Sequence, residues 1–137
     1  MAFETKTIVV VEDEPDTAEM FAEMMRLSGY NVLKSYGGAP AMTLIAMEKP
    51  AAVVLDLMMP DLSGLEVLRL IRNDPSLAQI PIIIVSAKSL PSDIKHGMDA
   101  GASIYLTKPV AFMDLKAAVE SVIRIAEQPT DNPQVGG

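Results

Sequence analysis

Cysteine is absent from this 137-residue chain, and so are any long apolar run, any basic stripe and any glycine-rich phosphate loop. Without cysteine the fold can hold neither a disulfide nor a thiolate metal site, which favours a reducing, cytoplasmic setting. No apolar run approaches the roughly 18 residues that a membrane span requires. The opening Met1-Ala2-Phe3-Glu4-Thr5-Lys6 lacks the cationic and apolar regions of a signal peptide. Lysine and arginine number 11 against 18 acids, a net charge of −7 with a pI near 4.6, so no cationic surface is on offer to a phosphate backbone and direct nucleic-acid binding is not expected. The single histidine, His96, lies in the polar segment Pro91 to Asp99 and reads as a surface residue rather than a catalytic base. No loop of the Walker or dinucleotide type is present.

What is present is a composition of 50% hydrophobic and 21% charged residues, enough to close one ordinary core in one domain. Short β-type runs alternate five times with helical patterns, without an internal repeat. The strands are expected at Thr7 to Val11, Tyr30 to Tyr36, Ala51 to Leu55, Ile80 to Val85 and Ser103 to Leu106. The first helix is expected from a cap at Asp16 to Gly29 with Met20, Phe21, Met24 and Leu27 facing the core. The second spans Pro40 to Lys49, and the third opens on the Ser63-to-Glu66 capping-box spacing and carries Leu65, Leu68 and Ile71. A fourth helix, polar and interrupted by Gly97, fits Pro91 to Ala100, and a fifth fits Phe112 to Ala126 with no side chain suited to cap its start. Alternating strands and helices imply an α/β fold, a parallel sheet with helices on both faces; the apolarity of the first strand places it centrally. Residues 127–137, rich in Pro, Asn and Gly, read as a flexible tail or the stub of a linker after a domain of residues 1–126.

In an open parallel sheet, ligands bind beyond the carboxyl ends of the strands. Four of the five expected strands bring a reactive side chain to that edge: Glu12-Asp13 after the first, Asp56 after the third, Ser86 after the fourth and Lys108 after the fifth. Three acids at close quarters repel unless cations neutralise them, and Lys108 supplies only one positive charge. An all-oxygen ligand set with a charge deficit suits Mg²⁺. Carboxylate, metal, hydroxyl and amine together are what an in-line phosphoryl transfer needs: a nucleophile, charge neutralisation and positioning. Gly64, in the first turn of the third helix, suggests that backbone approaches closely there.

Taken in order, Glu12-Asp13, the LDLMMPDLSGLE segment around Asp56, IIIVSA with Ser86 and YLTKP with Tyr105, Lys108 and Pro109 resemble the receiver domain of two-component response regulators, over about Thr7 to Ile125. The resemblance implies a doubly wound, flavodoxin-like sheet of order 2-1-3-4-5. It implies that Asp56 takes a phosphoryl group from a histidine kinase or phosphotransfer protein. Asp13, Asp56 and the Met58 main-chain carbonyl would bind Mg²⁺, with Glu12 acting through water, and Lys108 would pair with the phosphoryl group. The Lys108-Pro109 bond is expected to be cis. Ser86 would then move to the phosphoryl oxygens and Tyr105 turn inward, altering the face of helix four, strand five and helix five that meets a downstream protein target or effector domain. Met58 and Lys88 hold positions that in the family influence how fast the aspartyl phosphate hydrolyses.

The implied protein is a phosphoacceptor with self-catalysed phosphotransfer and dephosphorylation rather than an enzyme acting on other substrates, and a monomer or a phosphorylation-dependent dimer. It departs from the common pattern in having Ser86 where threonine is usual and Val110-Ala111 where aromatic and polar residues often follow the proline. A Mg²⁺-dependent phosphatase of the haloacid-dehalogenase type also places an Asp after a strand, but wants a second acid two residues on, where this chain has Met58. A non-phosphorylated receiver-like interaction module typically lacks one of the acids or the lysine, and this chain keeps them all. Both a single-domain regulator and a domain of a longer protein fit.

Overall fold

The structure, a computed structural model, describes residues 5–128. Ten elements follow one another in strict alternation: β1 (Thr7–Val11), α1 (Pro15–Leu27), β2 (Asn31–Ser35), α2 (Gly38–Glu48), β3 (Ala52–Leu55), α3 (Gly64–Asn73), β4 (Ile82–Ser86), α4 (Pro91–Asp99), β5 (Ile104–Thr107) and α5 (Phe112–Ala126). All five strands are parallel in the order β2-β1-β3-β4-β5, so the chain reverses direction across the sheet between β1 and β3. β3 takes the middle place and β1 lies beside it in the sheet interior, paired on both sides, which is the order expected.

Period-two alternation sorts the strand residues onto two cores. Val9, Val11, Val53, Leu55, Ile82 and Ile84 face a layer closed by Ala41 and Ile45 of α2 and by Val67, Leu68 and Ile71 of α3. Ile8, Val10, Val54, Ile83 and Val85 face Phe21 and Met25 of α1 and Leu115, Val119 and Val122 of α5. Burial on both faces is why these strands read as continuous aliphatic runs. Each buried Val, Ile or Leu contributes about 1.5–3 kcal/mol relative to exposure, so the alternation also fixes the register.

Several boundaries differ from the sequence expectation for local reasons. α1 is capped by Glu14 rather than Asp16: the Glu14 carboxylate accepts from Thr17 N at 2.6 Å and Thr17 Oγ1 at 2.7 Å, and Pro15 takes the first helical position, where no donor is needed. The buried stripe of α1 is Ala18, Phe21, Ala22 and Met25, while Met20 is 46% and Leu27 70% exposed. Two alanines let the helix lie close to the sheet, which turns the larger methionine outward. β4 starts at Ile82, since Pro81 cannot donate to the ladder; its carbonyl accepts from Val53 N at 2.9 Å. α2 starts at Gly38, ahead of Pro40, and α5 lacks a side-chain cap, as expected. Arg72, on α3, donates to the carbonyls of Gly101, Ala78 and Ile80 at 2.8, 3.0 and 2.7 Å, tying the α4–β5 turn to the approach of β4. Residues 129–137 of the expected tail lie outside the described residues.

Candidate functional site

The parallel register determines which strand ends meet. Val11 stands opposite Leu55, and the Asp56 N–H donates to the Val11 carbonyl at 3.0 Å, so Glu12 and Asp56 leave adjacent strands at the same height. On the other side Ser86 stands opposite Thr107, and the Lys108 N–H donates to the Ser86 carbonyl at 2.9 Å. The peptide bond between Lys108 and Pro109 is cis, as expected.

Glu12, Asp13 and Asp56 each offer a carboxylate oxygen within 4.8 Å of the others. Glu12 and Asp56 are only 2% and 5% exposed, and Asp13 is half-buried. Lys108 Nζ lies 2.8 Å from Glu12 Oε1 and 3.7 Å from Asp56 Oδ2. Burial pushes the Glu12 carboxyl above its ordinary range; the hydrogen bond from Lys108 opposes this, and the neighbouring Asp56 charge adds to it. Three carboxylates around one ammonium leave an excess of two negative charges, the charge of one divalent ion. The donors are hard oxygens and two of the three carboxylates are buried, so the residues fit Mg²⁺. Glu12, Asp13 and Asp56 could each offer an oxygen to such an ion, and Glu12 is also engaged by Lys108.

The loop after β3 is held from three sides. Asp56 Oδ1 accepts from Met58 N at 3.3 Å. The Leu57 carbonyl accepts from Gly64 N at 3.0 Å, and Ser63 and Glu66 complete the expected capping box. A Cβ on Gly64 would lie 2.6 Å from Leu57 Cα and closer still to the Asp56 carbonyl oxygen, which is the close approach expected at this glycine.

Two features of the site were not legible in the sequence. Asp61 leaves the proline turn to accept from Gly38 N at 3.1 Å and Ala39 N at 3.0 Å, capping α2 from a distant loop. Those amides hold its carboxyl down at about 2. Because the folded value lies below the ordinary 3.8, this clasp stabilises the fold above that pH and is lost as pH falls toward about 2. The stability advantage of the wild type over Asp61→Ala, read from urea midpoints across an acid series, should therefore shrink through that window and vanish below it. A constant difference down to the lowest pH would refute the clasp.

The second feature is a main-chain relay. Ser86, fully buried, accepts at Oγ from Lys88 N at 3.1 Å, and the Lys88 carbonyl accepts from the Tyr105 hydroxyl at 2.7 Å. The half-buried ring packs against the core, and that burial raises the phenol above its ordinary value. Tyr105 thus already occupies an inner position in this structure. His96 is exposed, as expected.

Among known proteins, the family model described as "Response regulator receiver domain" matches residues 8–120. The response regulator MprA of Mycobacterium avium is 36% identical over 128 residues, 93% of this chain and 55% of that protein. The phosphate regulon transcriptional regulatory protein PhoB of Pseudomonas aeruginosa is 35% identical over 119 residues, 87% of this chain and 52% of its own length. This chain therefore spans about half the length of these curated relatives. A solved response regulator from Chloroflexus aurantiacus superposes with a TM-score of 0.85 at 28% identity, covering 88% of this chain and 99% of that one. The receiver domain of a sensor histidine kinase from Pseudomonas aeruginosa, solved with a magnesium ion coordinated in its active-site cleft, gives 0.82 at 28% identity with the same coverage.

Proposed function

Because this chain belongs to the response regulator receiver domain family, we propose that it is the phosphoacceptor of a two-component pathway, with Asp56 taking a phosphoryl group from the phosphohistidine of a kinase or phosphotransfer protein. The observation that carries this reading is the meeting of Glu12, Asp13 and Asp56 within 4.8 Å, with Lys108 at 2.8 Å from Glu12 and 3.7 Å from Asp56. In the transfer, an Asp56 carboxylate oxygen attacks the phosphorus in line. The O–P bond forms as the N–P bond breaks, and the electron pair stays with the departing imidazole. Bound Mg²⁺ supplies charge neutralisation to the phosphoryl oxygens. Lys108 needs only a small movement from Glu12 to pair with the phosphoryl group, and the Met58 amide keeps the Asp56 carboxylate oriented.

The output side of the proposal is a switch: Ser86 Oγ turns from the Lys88 amide to a phosphoryl oxygen, and the Lys88–Tyr105 link carries the change to the α4–β5–α5 face. That face would dock a protein target or an effector domain. Phosphoryl gain and loss would be self-catalysed, without turnover of another substrate. The acidic chain gives no support for direct nucleic-acid contact by this domain. No helix among the described residues is long and apolar enough to cross a membrane.

The test is Mg²⁺-dependent labelling by acetyl phosphate, giving an acid-stable, base-labile acyl phosphate. Asp13→Ala should weaken Mg²⁺ binding by at least the roughly 10- to 100-fold that loss of a mere outer-shell partner costs, measured by calorimetric titration, while the thermal midpoint holds or rises because a repelling charge has gone. An affinity equal to that of the wild type would refute Asp13 as a ligand.

A further inference from the structure

We propose that Gly97, in the middle of α4, is a positioning residue of the switch: its missing side chain is what opens the inner seat of the Tyr105 ring and keeps the Ser86–Lys88–Tyr105 relay closed. The proposal rests on the phosphoacceptor reading for its consequence, and on geometry alone for the seat. Glycine is the poorest non-proline residue in a helix interior, yet Gly97 is the one residue that α4 buries. A Cβ there would lie 2.8 Å from Tyr105 Cδ2, 2.9 Å from Tyr105 Cε2 and 2.9 Å from Ile84 Cδ1.

Tyr105 and Ile84 are register partners across the β4–β5 ladder, and Ile84 is fully buried. A methyl at position 97 therefore cannot be absorbed by moving the ring deeper into the sheet. The ring has to swing toward solvent, which withdraws its hydroxyl from the Lys88 carbonyl, 2.7 Å away, and frees the Lys88 peptide whose N–H is bonded to Ser86 Oγ at 3.1 Å. The Cβ would meet only Tyr105 and Ile84, not the carboxylates or the lysine of the acidic cluster. Gly97→Ala is thus expected to separate phosphate uptake from its readout.

Two measurements on the full chain decide it. In Gly97→Ala the Tyr105 ring resonances, assigned with Tyr105→Phe, should move to solvent-exposed positions, and the phenol should titrate nearer its ordinary value, with acetyl phosphate labelling at wild-type level. Amide shifts in α4, β5 and α5 on phosphorylation should be lost. The second is a thermal comparison in two backgrounds: Gly97→Ala should lower the midpoint in the wild type and lower it much less in Tyr105→Ala, where both contacts with the ring are gone and only Ile84 Cδ1 stays close. Unchanged ring signals, or the same midpoint shift in both backgrounds, would overturn the seat; wild-type amide shifts on phosphorylation of the variant would overturn the coupling. A wild-type protein that takes no phosphate would instead remove the phosphoacceptor reading, and the ring and midpoint data would still decide the seat.

Discussion

Asp56→Asn should reduce acetyl phosphate labelling to background while leaving the protein folded. The amide is isosteric with the carboxylate, and its oxygen can still accept from Met58 N, which Asp56 Oδ1 does at 3.3 Å. What disappears is the nucleophile, since a neutral amide oxygen does not displace acetate from the phosphorus of acetyl phosphate under these conditions. One of three clustered negative charges disappears with it, and the Asp56 charge is among the causes that push Glu12 up. The thermal midpoint without Mg²⁺ should therefore hold or rise, in contrast to the fall that loss of a buried polar group usually produces. Intact-mass analysis after incubation with acetyl phosphate and Mg²⁺ reads the first effect and calorimetry the second. Undiminished labelling would place the phosphoryl group on another residue and sink the assignment of Asp56.

Gly64→Ala should cost about 3 kcal/mol or more. The added carbon would stand 2.6 Å from Leu57 Cα and against the Asp56 carbonyl, both backbone atoms of the strand end that carries the phosphoacceptor. Side chains can rotate away from an intruding methyl; a strand end held by the Asp56 N–H bond to Val11 cannot. Either α3 lifts from the sheet or the Asp56 loop shifts, so urea unfolding should show a lower midpoint and the surviving folded protein should bind Mg²⁺ more weakly. A loss below about 1 kcal/mol, within the range of tolerated core changes, would mean that the close approach is not rigid. At Gly97 the nearest atoms belong to side chains, so the expected loss of stability is smaller and the main damage is to switching.

The site residues that were legible in the sequence share one property: each lies at the carboxyl end of a strand or within two residues beyond it. Glu12 and Asp13 come within two residues of the end of β1, Asp56 and Lys108 come directly after β3 and β5, and Ser86 is the last residue of β4; placing them needed no knowledge of the sheet beyond its being parallel, since a parallel sheet puts every strand's carboxyl end on one edge. Gly64 was legible because a capping box beside a glycine marks a helix start that comes near backbone. Asp61 was not, because its partners, Gly38 and Ala39, are 22 or more positions away and nothing local distinguishes a capping aspartate from an ordinary turn residue. The orientation of α1 was legible only in part. Of the expected face, Phe21 is buried and Met24 packs against the core, whereas Met20 and Leu27 are exposed and Ala18, Ala22 and Met25 complete the inner stripe.

By itself, then, the sequence determined the alternation of elements, the doubly covered parallel sheet and the identity of the groups delivered to its edge, because those follow from periodicity, chain punctuation and side-chain chemistry that are local along the chain. Only the tertiary structure decided which of those groups stand within bonding distance, that Lys108 rests on Glu12 rather than on Asp56, that Asp61 clasps α2, and that Gly97 makes room for Tyr105. Those are matters of register and of gaps a few tenths of an ångström wide, set by how distant segments pack, and no local pattern encodes a gap.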